Sequence, residues 1–154
     1  MSEANLEYIK KIAPFKDLSE ESYEGIIPAL EEVNYPAGEQ ILQVGDQGDA
    51  LYIIREGRVQ VFINSPQKGD KIILSTLSSG DYFGEMSLLT GEPRSATVES
   101  MDDVRLLRLS KEGFDQIITE NPSITVFFST MLSQRLQDAN IQRVETESFY
   151  HSKM

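Results

Sequence analysis

Glycine recurs through the middle of this chain at positions 38, 45, 48, 57, 69, 80, 84 and 91, and the apolar residues alternate between these glycines. In VQVFI, for instance, Val59, Val61 and Ile63 share one face. A period of two is the signature of a half-buried strand, and turn signals about every ten residues leave room only for short ones. Many short antiparallel strands must close on themselves, as a sandwich or barrel, to bury their apolar faces. REGRV and QKGD read as hairpin turns, each glycine supplying the positive φ that the connection requires. The strand region is expected over residues 34–109.

Helical texture flanks it on both sides. Between Glu3 and Val33, Leu6, Ile9 and Lys10 recur at helix spacing, APF interrupts, and Ser19 caps a second run with Glu20 and Glu21 in its first turn. Pro28 bends or closes that second helix. Beyond Leu109, Ser110 is a cap and Phe114, Ile117 and Ile118 form an apolar stripe. Asn121-Pro122 is a strong start signal for a last helix, an N-cap residue with proline at the first helical position, and the helix is expected to run to about Glu147. Its stripe of Ile124, Phe127, Phe128, Met131, Leu132, Leu136 and Ala139 is broad at the start and thins toward the end. Such a helix begins on the barrel and then leaves it, so its far half calls for a second copy, a ligand-closed lid or solvent.

At 154 residues with 40% hydrophobic content the chain supports one core. The expected organisation is a single domain over 1–154: helices in 1–33, strands in 34–109, helices in 110–148. A net charge of -11 argues against a nucleic-acid surface, which needs a local excess of Lys and Arg. With no cysteine, disulfide frameworks, thiolate catalysis and Cys-based metal sites are excluded together. No apolar run approaches a membrane span, and MSEANLEYIKK lacks the apolar centre of a signal peptide, which predicts a soluble, cytoplasmic chain. His151, the only histidine, is the fourth residue from the end, so a histidine-based metal barrel of the cupin kind is not expected. Ser87 and Ser95 have no base to activate them. Neither an enzyme nor a metal centre is expected.

Chemistry concentrates in FGEMSLLTGEPRSATV, residues 83–98. Gly80, Gly84 and Gly91 turn the backbone tightly there, and EMSLL is long enough for one helical turn, whose unpaired N–H groups suit an anion. Arg94 closes the loop with a guanidinium that binds phosphate through paired hydrogen bonds. Glu85 repels a phosphate and accepts hydrogen bonds only, which suits a hydroxyl such as a ribose 2'-OH. An anion and a hydroxyl in one small site describe a nucleotide. The competing reading makes Glu85 and Arg94 an exposed loop salt bridge of little consequence.

With YPAGEQILQVGDQGDALYIIREGRVQVFI upstream and SSGDYFGEMSLLTGEPRSATVES at the loop, the chain resembles the cyclic nucleotide-binding domain shared by the catabolite activator protein, the regulatory subunits of cyclic-nucleotide-dependent kinases and gated channels. The likeness extends over nearly the whole chain. It implies a mainly β fold, a double-stranded β-helix or jelly-roll-like β-roll with N-terminal helices and a long C-terminal helix. It also implies a phosphate-binding cassette over 83–98. Gly84 and Glu85 would stand at the ribose, Arg94 with the backbone of Ser95 and Ala96 at the cyclic phosphate, and Met86 along the pocket. Gly45, Gly48 and Gly57 would serve the turns of the roll.

The base is the open point. A hydroxyl after the arginine, here Ser95, is found in relatives that bind cGMP and also in the catabolite activator class, which uses cAMP. Where family members carry small hydroxyl residues against adenine, this chain has Ala139 and Asn140, and the Asn140 amide either pairs with the base or is solvated. The expected ligand is cAMP, with cGMP as the alternative, and no other cofactor. Ligand contacts made only with the last helix docked would shift its position, and that helix, 122–148, would then pair with a second copy or an effector. Two rivals remain: a roll that has lost its ligand and serves as a scaffold, and a DNA-binding regulator. The rarity of residues beyond Glu147 and the acidic charge count against the second.

Overall fold

The computed structural model describes residues 3–12 and 15–130. The chain divides into two compact units, Met1–Glu120 and Asn121–Met154.

The first unit opens with α1 (Glu3–Ile9) and α2 (Glu20–Ile26). Ser19 caps α2 as expected, its Oγ accepting from the Ser22 amide at 3.1 Å. Pro28 ends α2 by opening a 3-10 turn over Ile27–Ala29, after which β1 (Leu30–Tyr35) begins at once. The strand therefore starts earlier than the helical texture suggested. Its two adjacent glutamates, Glu31 and Glu32, are exposed, and what makes it a strand is a partner far away in sequence: it pairs with β8 (Val104–Ser110) from Leu30↔Leu109 to Tyr35↔Val104.

The remaining strands are β2 (Gln40–Leu42), β3 (Ala50–Glu56), β4 (Val59–Asn64), β5 (Lys71–Leu77), β6 (Tyr82–Phe83) and β7 (Thr97–Ser100). They form two antiparallel four-stranded sheets, ordered β1-β8-β3-β6 and β2-β7-β4-β5. This is the β-roll with flanking helices that the resemblance implied. Leu42, Ala50, Tyr52, Ile54, Val59, Phe83, Val98, Val104 and Leu106 meet in one buried cluster, with residues from both sheets. β3 is buried at every position from Ala50 to Ile54. Its even positions enter that cluster, while Leu51 and Ile53 pair with Leu109 and Leu107 on the opposite face, where α4 (Lys111–Glu120) packs on β3 and β8. Cover on both faces is why ALYII reads as a continuous apolar run.

Gly57 does take φ 92°, but the turn it makes is not a hairpin: β3 and β4 lie in different sheets, so REGRV is a corner that carries the chain from one sheet to the other. Gly69, at φ 72°, does close a hairpin, between the paired strands β4 and β5. On β4, Val59 and Val61 face the shared core as the alternation predicted. Phe62 points the other way and is nonetheless 2% exposed, with the Lys71 ammonium 4.3 Å from its ring centroid. Ser110 caps α4 through the Gly113 amide at 3.2 Å, and Phe114 and Ile117 are buried beneath it.

In the second unit residues 122–130 are helical, as Asn121-Pro122 predicted, with the Ile124 amide on the Asn121 carbonyl at 2.9 Å. The Phe127 and Phe128 rings meet edge to face. The expected continuation to Glu147 lies outside the described residues. No helix among the described residues is long and apolar enough to cross a membrane.

Candidate functional site

The loop singled out in the sequence is anchored at its entry by β6, which pairs with β3 through Tyr52↔Phe83, the two rings stacked at 5.2 Å. The chain then turns at Gly84, φ 91°, which is the N-cap of α3 (Glu85–Thr90). A Cβ at Gly84 would stand 3.0 Å from both the Ala50 carbonyl oxygen and Arg94 Nη1, so close approach and positive φ both call for glycine. Gly91, φ 75°, ends the helix with its amide on the Ser87 carbonyl. The single turn expected from EMSLL is present, six residues long.

Glu85 is 2% exposed and Arg94 4%. Two exposed, solvated charges are therefore not what this loop contains. Arg94 is held from several sides. Nη1 donates to the Gly84 carbonyl at 2.5 Å and Nη2 to the Ala50 carbonyl at 2.9 Å. Its amide donates to the Asp46 carbonyl at 2.7 Å, and its own carbonyl accepts from the Gly45 amide at 2.8 Å. Among the described residues Nε is buried with no hydrogen-bond partner. A buried donor left in that state is costly.

The nearest ion-pair contact of Arg94 runs to Asp49, whose Oδ1 is 4.0 Å from Nη2 while its other oxygen takes a hydrogen bond from Arg108 at 2.9 Å. Asp49 is 68% exposed, so this pair screens the arginine only weakly. Burial pushes the Arg94 guanidinium below its ordinary value, opposed by Tyr52, Asp49, Glu85 and Asp46. The group remains a cation, with the carboxylates of Asp49, Glu85 and Asp46 near enough to favour its charged form.

Gly84, Glu85 and Arg94 are thus brought together. Met86 is half-buried in α3, Ser95 is exposed, and Ala96 is half-buried in the bend before β7. Asn140 lies outside the described residues.

Three further residues belong to this site and were not picked out from the sequence. Ala50 and Asp49 meet the guanidinium as described. Gly48 was read as a turn glycine, yet it is not among the positive-φ glycines. A Cβ there would come within 2.3 Å of the Ser87 Cβ and 3.5 Å of Arg94 Cζ, so the 43–49 loop lies directly against α3 and glycine is needed for contact. GDQGD carried the signal, but a turn and a close approach look alike in sequence.

On the inward face of the second sheet, Ile63 pairs with Ile72, two positions along from the core residue Val61. Ile72 is nevertheless 44% exposed, and Leu74, the residue displaced by the register shift opposite Val61 and Phe62, is 50% exposed. Three consecutive apolar residues of β5, Ile72, Ile73 and Leu74, are thus exposed.

A family model described as the cyclic nucleotide-binding domain matches residues 32–121. The chain is similar to a cAMP-dependent protein kinase regulatory subunit of Debaryomyces hansenii, 35% identical over 80% of this chain and 26% of that protein. It is also similar to the cGMP-dependent protein kinase isozyme 2 forms cD5/T2 of Drosophila melanogaster, 35% identical over 73% of this chain and 12% of that protein. The chain thus spans about a quarter or less of the length of these curated relatives. Among solved structures, the regulatory domain of Toxoplasma gondii PKA, in co-crystals with cAMP, aligns with a TM-score of 0.69 and 29% identity, covering 76% of this chain and 46% of that one.

Proposed function

The chain belongs to the cyclic nucleotide-binding domain family, and from that premise we propose that it is a regulatory sensor of cAMP, without catalytic activity of its own. In this reading Arg94 and the amides of Ser95 and Ala96 take the cyclic phosphate, and Glu85, at the head of α3, takes the ribose 2'-OH. Gly84 lets the backbone come close, and Met86 lines the pocket. The base lies toward the apolar edge at Ile72 and Leu74 and toward Asn140.

The observation that carries the proposal is the buried guanidinium of Arg94, fixed by the Gly84 and Ala50 carbonyls with Nε still to be satisfied. An arginine is expensive to bury alone, and an anion offsets that cost. A cyclic phosphodiester fits because it carries one negative charge while Glu85, close by, forbids a more highly charged group. The name of the Debaryomyces relative and the cAMP in the Toxoplasma co-crystals support cAMP as the ligand. The name of the Drosophila relative supports cGMP as the second reading, and Ser95 is compatible with either nucleotide.

Occupancy is transmitted, on this proposal, through the helix that begins after Asn121. A ligand that contacts this helix only in one position shifts its equilibrium by the difference in affinity. The helix then engages a second copy or an effector protein, in a cytoplasmic setting and without direct contact to DNA, and the whole chain 1–154 acts as one sensor domain. Calorimetric titration of the purified chain with cAMP, cGMP and 5'-AMP tests the proposal. Binding of cAMP with weaker cGMP and no measurable 5'-AMP is expected. No heat from either cyclic nucleotide sinks the sensor reading, and a preference for cGMP replaces the ligand.

A further inference from the structure

Along β8, Val104 and Leu106 enter the buried cluster, and a period of two brings Arg108 to the same face. Its cross-strand partners agree: Arg108 stands opposite Glu31 of β1 on one side and opposite Tyr52 of β3, a member of that cluster, on the other. A row of Glu31, Arg108 and Tyr52 therefore crosses the inward face where the alternation calls for apolar residues. The row lies two residues along each strand from the Ala50↔Ser110 pair, on the side of the roll where the Ala50 carbonyl holds Arg94.

Asp49 gives this arginine its use. Nη2 of Arg108 donates to Asp49 Oδ2 at 2.9 Å, and Nη1 lies 3.9 Å from Glu31 Oε2. The Asp49 main chain is also held, its carbonyl accepting the Lys111 amide at 3.0 Å. The other carboxylate oxygen stops 4.0 Å from Arg94 Nη2, beyond hydrogen-bond reach. One carboxylate thus lies between two guanidinium groups and is bonded to Arg108 alone of the two. Its side chain is 68% exposed, so packing restrains it little and the bond to Arg108 sets its direction.

We propose that Arg108 is a positioning residue for the anion site: by holding Asp49 it keeps that carboxylate from closing on Arg94, and so leaves Arg94 for the phosphate. This role rests on the cyclic nucleotide reading above. Released from Arg108, the carboxylate needs to move only about 1 Å to make a charge-assisted hydrogen bond with Arg94. Paired there, it neutralises the guanidinium and sets a like charge against the ligand. Arg94 then meets the phosphate only in the fraction of molecules in which the pair is open, and the apparent affinity falls by that fraction.

The test is a double-mutant cycle on the full chain: the parent, Arg108→Gln, Asp49→Asn and both together, each titrated with cAMP by calorimetry. Arg108→Gln is expected to weaken cAMP about tenfold, within the range of coupling for residues of one network. In the Asp49→Asn background no carboxylate remains at that position to close on Arg94, and the same change should cost less than about threefold. If a melting curve shows the glutamine variant unfolded at the titration temperature, Arg108→Lys replaces it in the cycle, with about threefold expected in the parent background and less in Asp49→Asn. The side-chain nitrogen resonances of Arg94, followed in the ligand-free chain, should move in Arg108→Gln and return in the double variant. An equal loss in both backgrounds overturns the proposal, since Arg108 then acts on the phosphate or the fold directly, and so does no loss in the parent background. Should the unaltered chain bind neither cyclic nucleotide, the sensor reading falls, and the Arg94 resonances alone decide whether Arg108 holds Asp49 away: resonances that stay in place overturn it.

Discussion

The guanidinium of Arg94 and the carbonyl oxygen of Ala50 are 44 residues apart in the chain and 2.9 Å apart in the molecule. Ala50 opens β3 in one sheet, while Arg94 precedes β7 in the other, so the bond ties the two halves of the roll together at the mouth of the candidate site. The same side chain holds Gly84 at the head of α3. Its Nη atoms are thus used in holding the fold, while its Nε is buried with no hydrogen-bond partner among the described residues.

Replacing Arg94 with alanine should remove about 2–5 kcal/mol of cyclic nucleotide binding, the range for truncating one partner of a buried charge pair. The Gly84 and Ala50 carbonyls lose their donors too, so thermal unfolding should shift downward by the equivalent of about 1–3 kcal/mol. Arg94→Lys should restore neither, since one ammonium cannot span both carbonyls and a phosphate. Calorimetry below the unfolding range, paired with a melting curve, checks this. Undiminished affinity in Arg94→Ala rejects the phosphate role.

For Glu85 the diagnostic is the sugar. Glu85→Ala should weaken the ribonucleotide and erase most of its advantage over the 2'-deoxy analogue, a difference of about 1–3 kcal/mol for one buried carboxylate contact. Titrating both analogues into both proteins reads this directly. Equal discrimination by parent and variant assigns the hydroxyl to another group.

Gly48→Ala should destabilise the fold by about 1–3 kcal/mol, because the added methyl meets the Ser87 Cβ at 2.3 Å and something must move. Chemical denaturation measures the loss. A second change, Ser87→Gly, removes the atom that is struck and should recover part of the stability. If Gly48→Ala is neutral, the 43–49 loop does not lie against α3 as described.

Acid should release one surface pair. The Arg58 Nε and Nη2 both bond the Asp102 carboxylate, and this hydrogen bonding holds the Asp102 carboxyl below its ordinary value. A folded value below the unfolded one stabilises the fold above the ordinary carboxyl value of 3.8, and that contribution fades as pH falls through the lower folded value. Asp102→Asn should flatten that part of the acid unfolding profile. Lying at the surface, with side chains 55% and 41% exposed, the pair should also lose much of its effect in high salt.

Much of the local structure was legible because it depends on neighbours in sequence. Ser19 and Ser110 cap their helices, Pro28 stops α2, Gly69 turns a hairpin, and the alternation of Val59 and Val61 finds the core. That Gly84 and Arg94 should meet in one loop with Glu85 beside them was legible too, from the spacing of the three residues and the agreement of the flanking text. Three readings went differently. The strand at Leu30 is made by its pairing with β8, the Gly57 turn changes sheets, and Gly48 is small because another loop touches it.

The order of turns, strands and capped helices, together with the chemistry assembled in one loop, was written in the chain itself, since torsional preference and hydrophobic period act over a few residues. Which strands share a sheet, which carbonyls restrain the arginine and which carboxylate lies beside it were settled only on folding. Those contacts join residues that are distant in sequence, and their partners are chosen by packing and by the need of every buried polar group to be met.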